Sequence, residues 1–152
     1  MVLHHLSDVQ QTLAEMKRVV KNGGWIIVNE LFSDDQNPAQ EVHKQMHHFR
    51  SKIDRMNGIV HNEAFSRKQI VDILKRAGLD IQLKFEFKNQ AKVPSKEEIE
   101  ERKAKLWSAL ESVKGRIEYE ELANEIPPIE AALDKYGFEM STRLVCVAQV
   151  RK

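Results

Sequence analysis

Hydrophobic and polar positions alternate along this chain with two distinct periods, and the changes of period mark out its elements. Val9, Leu13, Met16 and Val20 recur at spacings of four, three and four, which predicts an amphipathic helix from Ser7 to Lys21. Ser7 and Gln10 have the spacing of a capping box. Asn22-Gly23-Gly24 supplies a left-handed stop. Trp25-Ile26-Ile27-Val28 follows without a polar break, as expected of a strand buried on both faces of a parallel sheet. Val42, Met46, Phe49, Ile53 and Met56 form a narrow seam, which predicts a helix from Gln36 to Met56 packed on another helix.

The second half reads the same way. Ser66 and Gln69 form a capping box, Phe65 can staple onto Ile70, and Gly78 closes a helix from Ser66 to Ala77. Leu79, Ile81, Leu83, Phe85 and Phe87 then alternate with polar residues, which predicts an edge or antiparallel strand with one wet face. Lys88 to Pro94 is a polar linker. Ser95 to Lys114 is a charged helix with Ile99, Leu106, Leu110 and Val113 inward. A short helix from Glu118 to Ile126 is expected to stop at Pro127-Pro128, and another to run from Ile129 to Tyr136. Arg143 to Val150 is a nearly unbroken apolar strand, with Cys146 buried among valines.

Composition narrows the class. A chain of 152 residues makes one domain with a sizeable core, burying roughly 70% of its unfolded surface. A net charge of +1 selects neither nucleic acid nor an anionic membrane as partner. The single cysteine excludes an internal disulfide and points to a reducing, cytoplasmic setting. No window approaches the ~20 apolar residues of a membrane span.

One stretch resembles a known family. Leu3-His4-His5-Leu6-Ser7-Asp8, then Leu13, Glu15-Met16, Arg18-Val19-Val20-Lys21, Gly23-Gly24 and Ile26-Ile27-Val28 look like class I S-adenosylmethionine-dependent methyltransferases, from the end of strand four through a helix to the turn before strand five. Asn22 stands where a proline is usual in that turn. Phe65-Ser66, Ile70, Ile73-Leu74 and Ala77-Gly78-Leu79 look like that family's last helix and sixth strand. The resemblance implies an α/β fold: the C-terminal half of the methyltransferase sheet, strands five, seven and six with flanking helices. Helical inserts are then expected at 33–64 and 88–138 of a single partial domain spanning 1–152. In the family order 3-2-1-4-5-7-6, strand six is an edge and strand seven lies between five and six. The alternating and the apolar strand fit those two places.

The resemblance implies methyl transfer from S-adenosylmethionine to a small-molecule acceptor, with the inserts as the acceptor lid. His4 and His5 are then candidates for substrate orientation or deprotonation, and Val2, Leu3 and His4 for the cofactor wall. Glu30, just after strand five, and His61, in a segment that lines substrate pockets in the family, are candidates for substrate binding. The departure from the family is the missing glycine-rich loop: no G-x-G-x-G occurs. Either the sequence is part of a longer protein or the chain has abandoned the cofactor, and by itself it is expected to be inactive. The alternative reading is a remnant that binds a protein partner, or forms a homodimer through an exposed strand edge or its helical seams. His43, His47 and His48 invite a metal reading because positions 43 and 47 share a helix face, but no H-E-x-x-H pattern or third ligand accompanies them, so a solvated face is expected and no metal site. Trp25 and Trp107 are expected to pack in a core or an interface.

Overall fold

The computed structural model describes residues 3–90 and 92–152. The chain opens with a 3-10 turn at Leu3–His5, followed by α1 (Val9–Val19), β1 (Trp25–Leu31), α2 (Pro38–Met56), α3 (Arg67–Arg76), β2 (Asp80–Phe87), α4 (Lys96–Glu111), α5 (Tyr119–Tyr136) and β3 (Arg143–Gln149). No helix among the described residues is long and apolar enough to cross a membrane.

The three strands form one antiparallel sheet in the order β1-β3-β2. The apolar last strand is the centre and the alternating strand an edge, as the patterns predict. Because β1 and β2 both run against β3, they point the same way without touching. The expectation that β1 is buried on both faces of a parallel sheet is corrected by this pairing. Ile26 and Val28 are buried, whereas Trp25 is 53% and Ile27 65% exposed. An antiparallel sheet tolerates one uncovered face, and only one face of this sheet is covered. Ile26, Val28, Leu144, Cys146 and Ala148 pack there on Leu13 of α1 and on Ile70, Ile73 and Leu74 of α3.

The alternation along β2 predicts one apolar face turned to the core, and the structure overturns that expectation. Ile81 pairs with Ala148 on the covered side, but the register shifts by one between Ile81 and Leu83. A bulge of this kind reverses which side the following residues face. Leu83 and Phe85 therefore lie beside Val147 and Val145, and with Phe87 they remain 44–54% exposed. Together with Trp25 and Ile27 they make an uncovered apolar face.

The three longer helices build a second core. Val42, Phe49 and Ile53 of α2 meet Leu106, Ala109 and Leu110 of α4 and Leu122, Ile126, Ile129 and Leu133 of α5. The seams of α2 and α4 are thus filled within the chain. Trp107 stays outside, 42% exposed, donating its indole N–H to Glu130 at 2.8 Å. Neither tryptophan packs in a core.

Caps set most helix starts. The capping boxes Asn37/Gln40, Ser66/Gln69 and Ser95/Glu98 are all complete. The expected Ser7/Gln10 box does not form. Asp8 caps α1 by accepting from the Gln11 N–H, and Gln10 instead donates to the Ile73 carbonyl, tying α1 to α3. Between α1 and β1, Gly23 has φ +79°, and a Cβ on Gly24 would sit 2.6 Å from Val20 Cγ1. This turn therefore needs both glycines.

The expected break at Pro127-Pro128 is absent: α5 runs through both prolines. Each proline removes one intrahelical bond and costs roughly 3 kcal/mol relative to alanine. Burial of Leu122, Ile126, Ile129 and Leu133 along a single face of α5 offsets that cost. Both prolines are on the exposed side. Replacing them with alanine (P127A/P128A) restores the lost donors and is expected to raise stability by roughly 1–3 kcal/mol, read from the urea midpoint. An unchanged or lower midpoint would show that the rings do not strain the folded helix.

Candidate functional site

The site is assembled at the end of β1 from three segments distant in sequence. Glu30 lies inside β1, where the sequence reading placed it after the strand, and its side chain is fully buried. Its Oε2 accepts from the Leu3 N–H at 2.7 Å. Its Oε1 accepts from His4 Nδ1 at 2.7 Å and from the Leu31 N–H at 3.1 Å. Three donors on a buried carboxylate make the charged form tolerable in a place where an isolated charge would not be. They also lock the Leu3–His5 turn over the strand end. His4 is 1% exposed and His5 is exposed.

The second segment, 60–62, is pinned against the first. The Asn62 N–H donates to the His4 carbonyl at 2.7 Å, and Asn62 Nδ2 donates to the Leu6 carbonyl at 3.2 Å. From α2, Arg55 Nη1 donates to the His61 carbonyl at 2.7 Å. His61 is thereby drawn inward, and its Nδ1 donates to Asp54 Oδ2 at 2.8 Å. Asp54 also pairs with Arg50, 2.8 Å away.

The third contribution is His47, about two turns before Asp54 on α2. Its Nε2 lies 3.1 Å from His61 Nε2. With Nδ1 of His61 committed as a donor, His61 Nε2 accepts and His47 Nε2 donates. Ring centroids of His4 and His5 are 4.2 Å apart, of His5 and His61 4.4 Å, of His47 and His61 4.7 Å, and of His4 and His47 4.9 Å. Four imidazoles thus form one cluster, and two of them, His4 and His61, are each backed by a carboxylate.

Of the residues singled out in the sequence, the structure brings His4, His5, Glu30 and His61 together with Leu3. Val2 lies outside the described residues. The solvated face expected for His43, His47 and His48 is corrected: all three are partly buried and engaged. His43 Nδ1 lies 2.9 Å from Ser141 Oγ, and His48 Nε2 accepts from the Ala64 N–H at 3.3 Å. The helix turns this side to the chain because Gln40, one turn earlier, donates to Glu139 and Thr142 just before β3. Sequence reasoning missed Asp54 and His47 as members of the site. Their only signal was a shared helix face. A groove of about 720 Å³ between α4 and the end of α5 lies elsewhere and is lined by no histidine.

Burial governs the charge of these rings. Desolvation, followed by the neighbouring His4, His61, His43 and His48, pushes the His47 pKa down to about 3. Desolvation with Arg102 and Arg143 pushes His43 down to about 4. Burial and its histidine neighbours also lower His5. His5, His43 and His47 are therefore neutral imidazoles at neutral pH.

Two outcomes follow from this geometry. Glu30→Gln keeps the shape but sets an amide N–H₂ against backbone donors, and is expected to lose about 1–3 kcal/mol of stability in urea unfolding. Full parent stability in that variant would mean that the buried carboxylate does not anchor the turn. The second outcome concerns pH. An unfolded histidine takes up its proton near 6.5, whereas folded His43 and His47 do so only near 4 and 3. The unfolded chain binds more protons in that window, so stability is full above 6.5 and falls as pH drops toward 4. His43→Gln is expected to flatten the decline, measured as urea midpoint against pH. A slope identical to the parent's would assign the decline to other groups.

Comparison with known proteins bears on the fold. The family model described as a methyltransferase domain matches residues 1–28. No curated protein matches the sequence. Among solved structures, a Bacillus halodurans C-125 protein, provisionally classed as a methyltransferase, superimposes with a TM-score of 0.51 at 14% identity, over 99% of this chain and 62% of that one. The YcgJ protein of Bacillus subtilis gives 0.47 at 13% identity, over 98% and 60%. A Haemonchus contortus phosphoethanolamine N-methyltransferase, solved with phosphomonomethylethanolamine and S-adenosylhomocysteine, gives 0.42 at 12% identity, over 99% and 32%. The chain spans about 60% of the length of the first two. The sheet order β1-β3-β2 is that of strands five, seven and six, and the chain has the class I methyltransferase fold over that part of its sheet.

Proposed function

We propose that this chain is the acceptor side of an S-adenosylmethionine-dependent methyltransferase acting on a small molecule. The observation that carries the reading is the Leu3–His5 turn, locked by Glu30 at the carboxyl end of β1. In open α/β sheets ligands gather beyond the carboxyl ends of the strands.

The residues present do not supply a cofactor cradle. All six glycines follow helices, at Gly23, Gly24, Gly58, Gly78, Gly115 and Gly137. None lies between a strand and the next helix, where a backbone could approach a nucleotide. No step through the cofactor is therefore assigned to this chain. What the chain contributes is an acceptor wall. His5, exposed and neutral at pH 7, can take a proton from an acceptor, and His4 is oriented by Glu30 beside it.

Calorimetric titration of the chain with S-adenosylhomocysteine tests the reading. With no cradle present, no heat is expected at micromolar ligand, and any contact with the acceptor wall should appear only near millimolar and be lost in His5→Ala. Micromolar binding that His5→Ala leaves unchanged would overturn the assignment of this chain to the acceptor side.

One observation favours a second reading, a non-enzymatic binding module. Trp25, Ile27, Leu83, Phe85 and Phe87 leave an apolar sheet face uncovered beside the unpaired outer edge of β1. On that reading light scattering finds a dimer that Ile27→Lys disperses. A parent chain that is monomeric at all concentrations would remove it.

A further inference from the structure

We propose that His4, His5 and His61 bind one divalent cation of the zinc class. One ring nitrogen from each of the three lies within 4.8 Å of the others, and they come from two segments that backbone bonds clamp together. The proposal is independent of methyl transfer and needs no residue outside this chain.

The arrangement has the parts a nitrogen-ligated site requires. In His4 and His61 the Nδ1–H is donated to a buried carboxylate, Glu30 at 2.7 Å and Asp54 at 2.8 Å. That fixes the tautomer and leaves each Nε2 unprotonated, the His4 lone pair available outright and the His61 lone pair once it gives up the His47 N–H. It also makes the ring a better donor, which is the usual role of an outer carboxylate behind a metal-bound histidine. Two such carboxylate–histidine pairs side by side have no evident packing role: an apolar pair would fill the space without the cost of burying charge. The two carboxylates would offset the charge of a divalent ion.

The distances suit a modest closure. Two nitrogens about 2.1 Å from a tetrahedral zinc lie roughly 3.4 Å apart. The three rings must therefore approach by about 1.4 Å at most from their present spread within 4.8 Å. His5 is exposed on a short turn and can make most of that movement. His47 shows that such spacings are already tolerated, with its Nε2 at 3.1 Å from His61 Nε2. When His61 turns its lone pair to the ion, His47 loses that contact and faces the vacated coordination space. Three protein ligands with one open position is the pattern of reactive rather than purely structural zinc sites. An entry path exists: His61 also lines a surface groove with Ser7, Arg55, Gly58, Val60 and Asn62. Imidazole donors without thiolate or exposed carboxylate favour zinc, cobalt, nickel or copper over magnesium or calcium.

The test uses the purified chain, stripped with chelator and titrated separately with Zn(II) and Co(II). One equivalent is expected to bind, with Co(II) developing the intense ligand-field bands of a low-coordinate nitrogen site. His5→Ala, at an exposed position, and His61→Ala are each expected to weaken binding at least ~10-fold and to abolish those bands. Asp54→Asn, which touches no metal, is expected to weaken binding by roughly 10–100-fold through His61. His48→Gln, outside the triad, is expected to bind as the parent does. Weak binding of several equivalents with the pale spectrum of a hydrated ion, or parent-like binding in His5→Ala, would overturn the proposal. Either result would assign any uptake to scattered surface histidines.

Discussion

A buried carboxylate holds this structure's functional end together. Glu30 has no exposure and faces the covered side of the sheet among Val28, Leu144 and Cys146. Such a charge is tolerated only when its oxygens are satisfied, and here they are, by two backbone N–H groups and one imidazole. The consequence reaches beyond stability. The carboxylate draws the Leu3–His5 turn down onto β1, that turn accepts the Asn62 N–H, and segment 60–62 thereby delivers His61. One interaction inside a strand thus gathers residues from both ends of a long helix-containing excursion.

The helical layer performs the complementary task. α2 is fixed at its start by Asn37 and Gln40, both bonded to Glu139, and along its length by α4 and α5. Its remaining face carries His43, His47, His48 and Asp54 toward the sheet layer. Two separate apolar cores, one under the sheet and one among the helices, meet along a polar seam of histidines and carboxylates. A seam of that kind is costly as packing and useful as chemistry. It lies at the carboxyl end of β1, beside Glu30.

The sheet itself is lopsided. Its covered face is well filled by α1 and α3, while the bulge in β2 turns Leu83, Phe85 and Phe87 to the bare side. The bare side carries Trp25 and Ile27 as well, so the described residues cover this sheet with helices on one face alone.

Most of the architecture was legible in the sequence because it rests on local rules. Helical spacing and the Ser66/Gln69 box located α3, the seam located α2, and the contrast between the alternating and the unbroken apolar strand ordered the sheet as β1-β3-β2. What the sequence could not show was decided by contacts between distant residues. Asp8 displaced Ser7 as the cap of α1 when Gln10 found a partner on α3. Pro127 and Pro128 failed to end α5 because the helical core outweighed their local preference. One unpaired residue reversed the faces of β2, a change that periodicity cannot register. The histidine cluster is the clearest case. His4 and His5 were legible as candidates through their neighbours in sequence, but their meeting with His61, His47 and Asp54 exists only because buried polar groups must find partners, and the fold alone determines which are within reach.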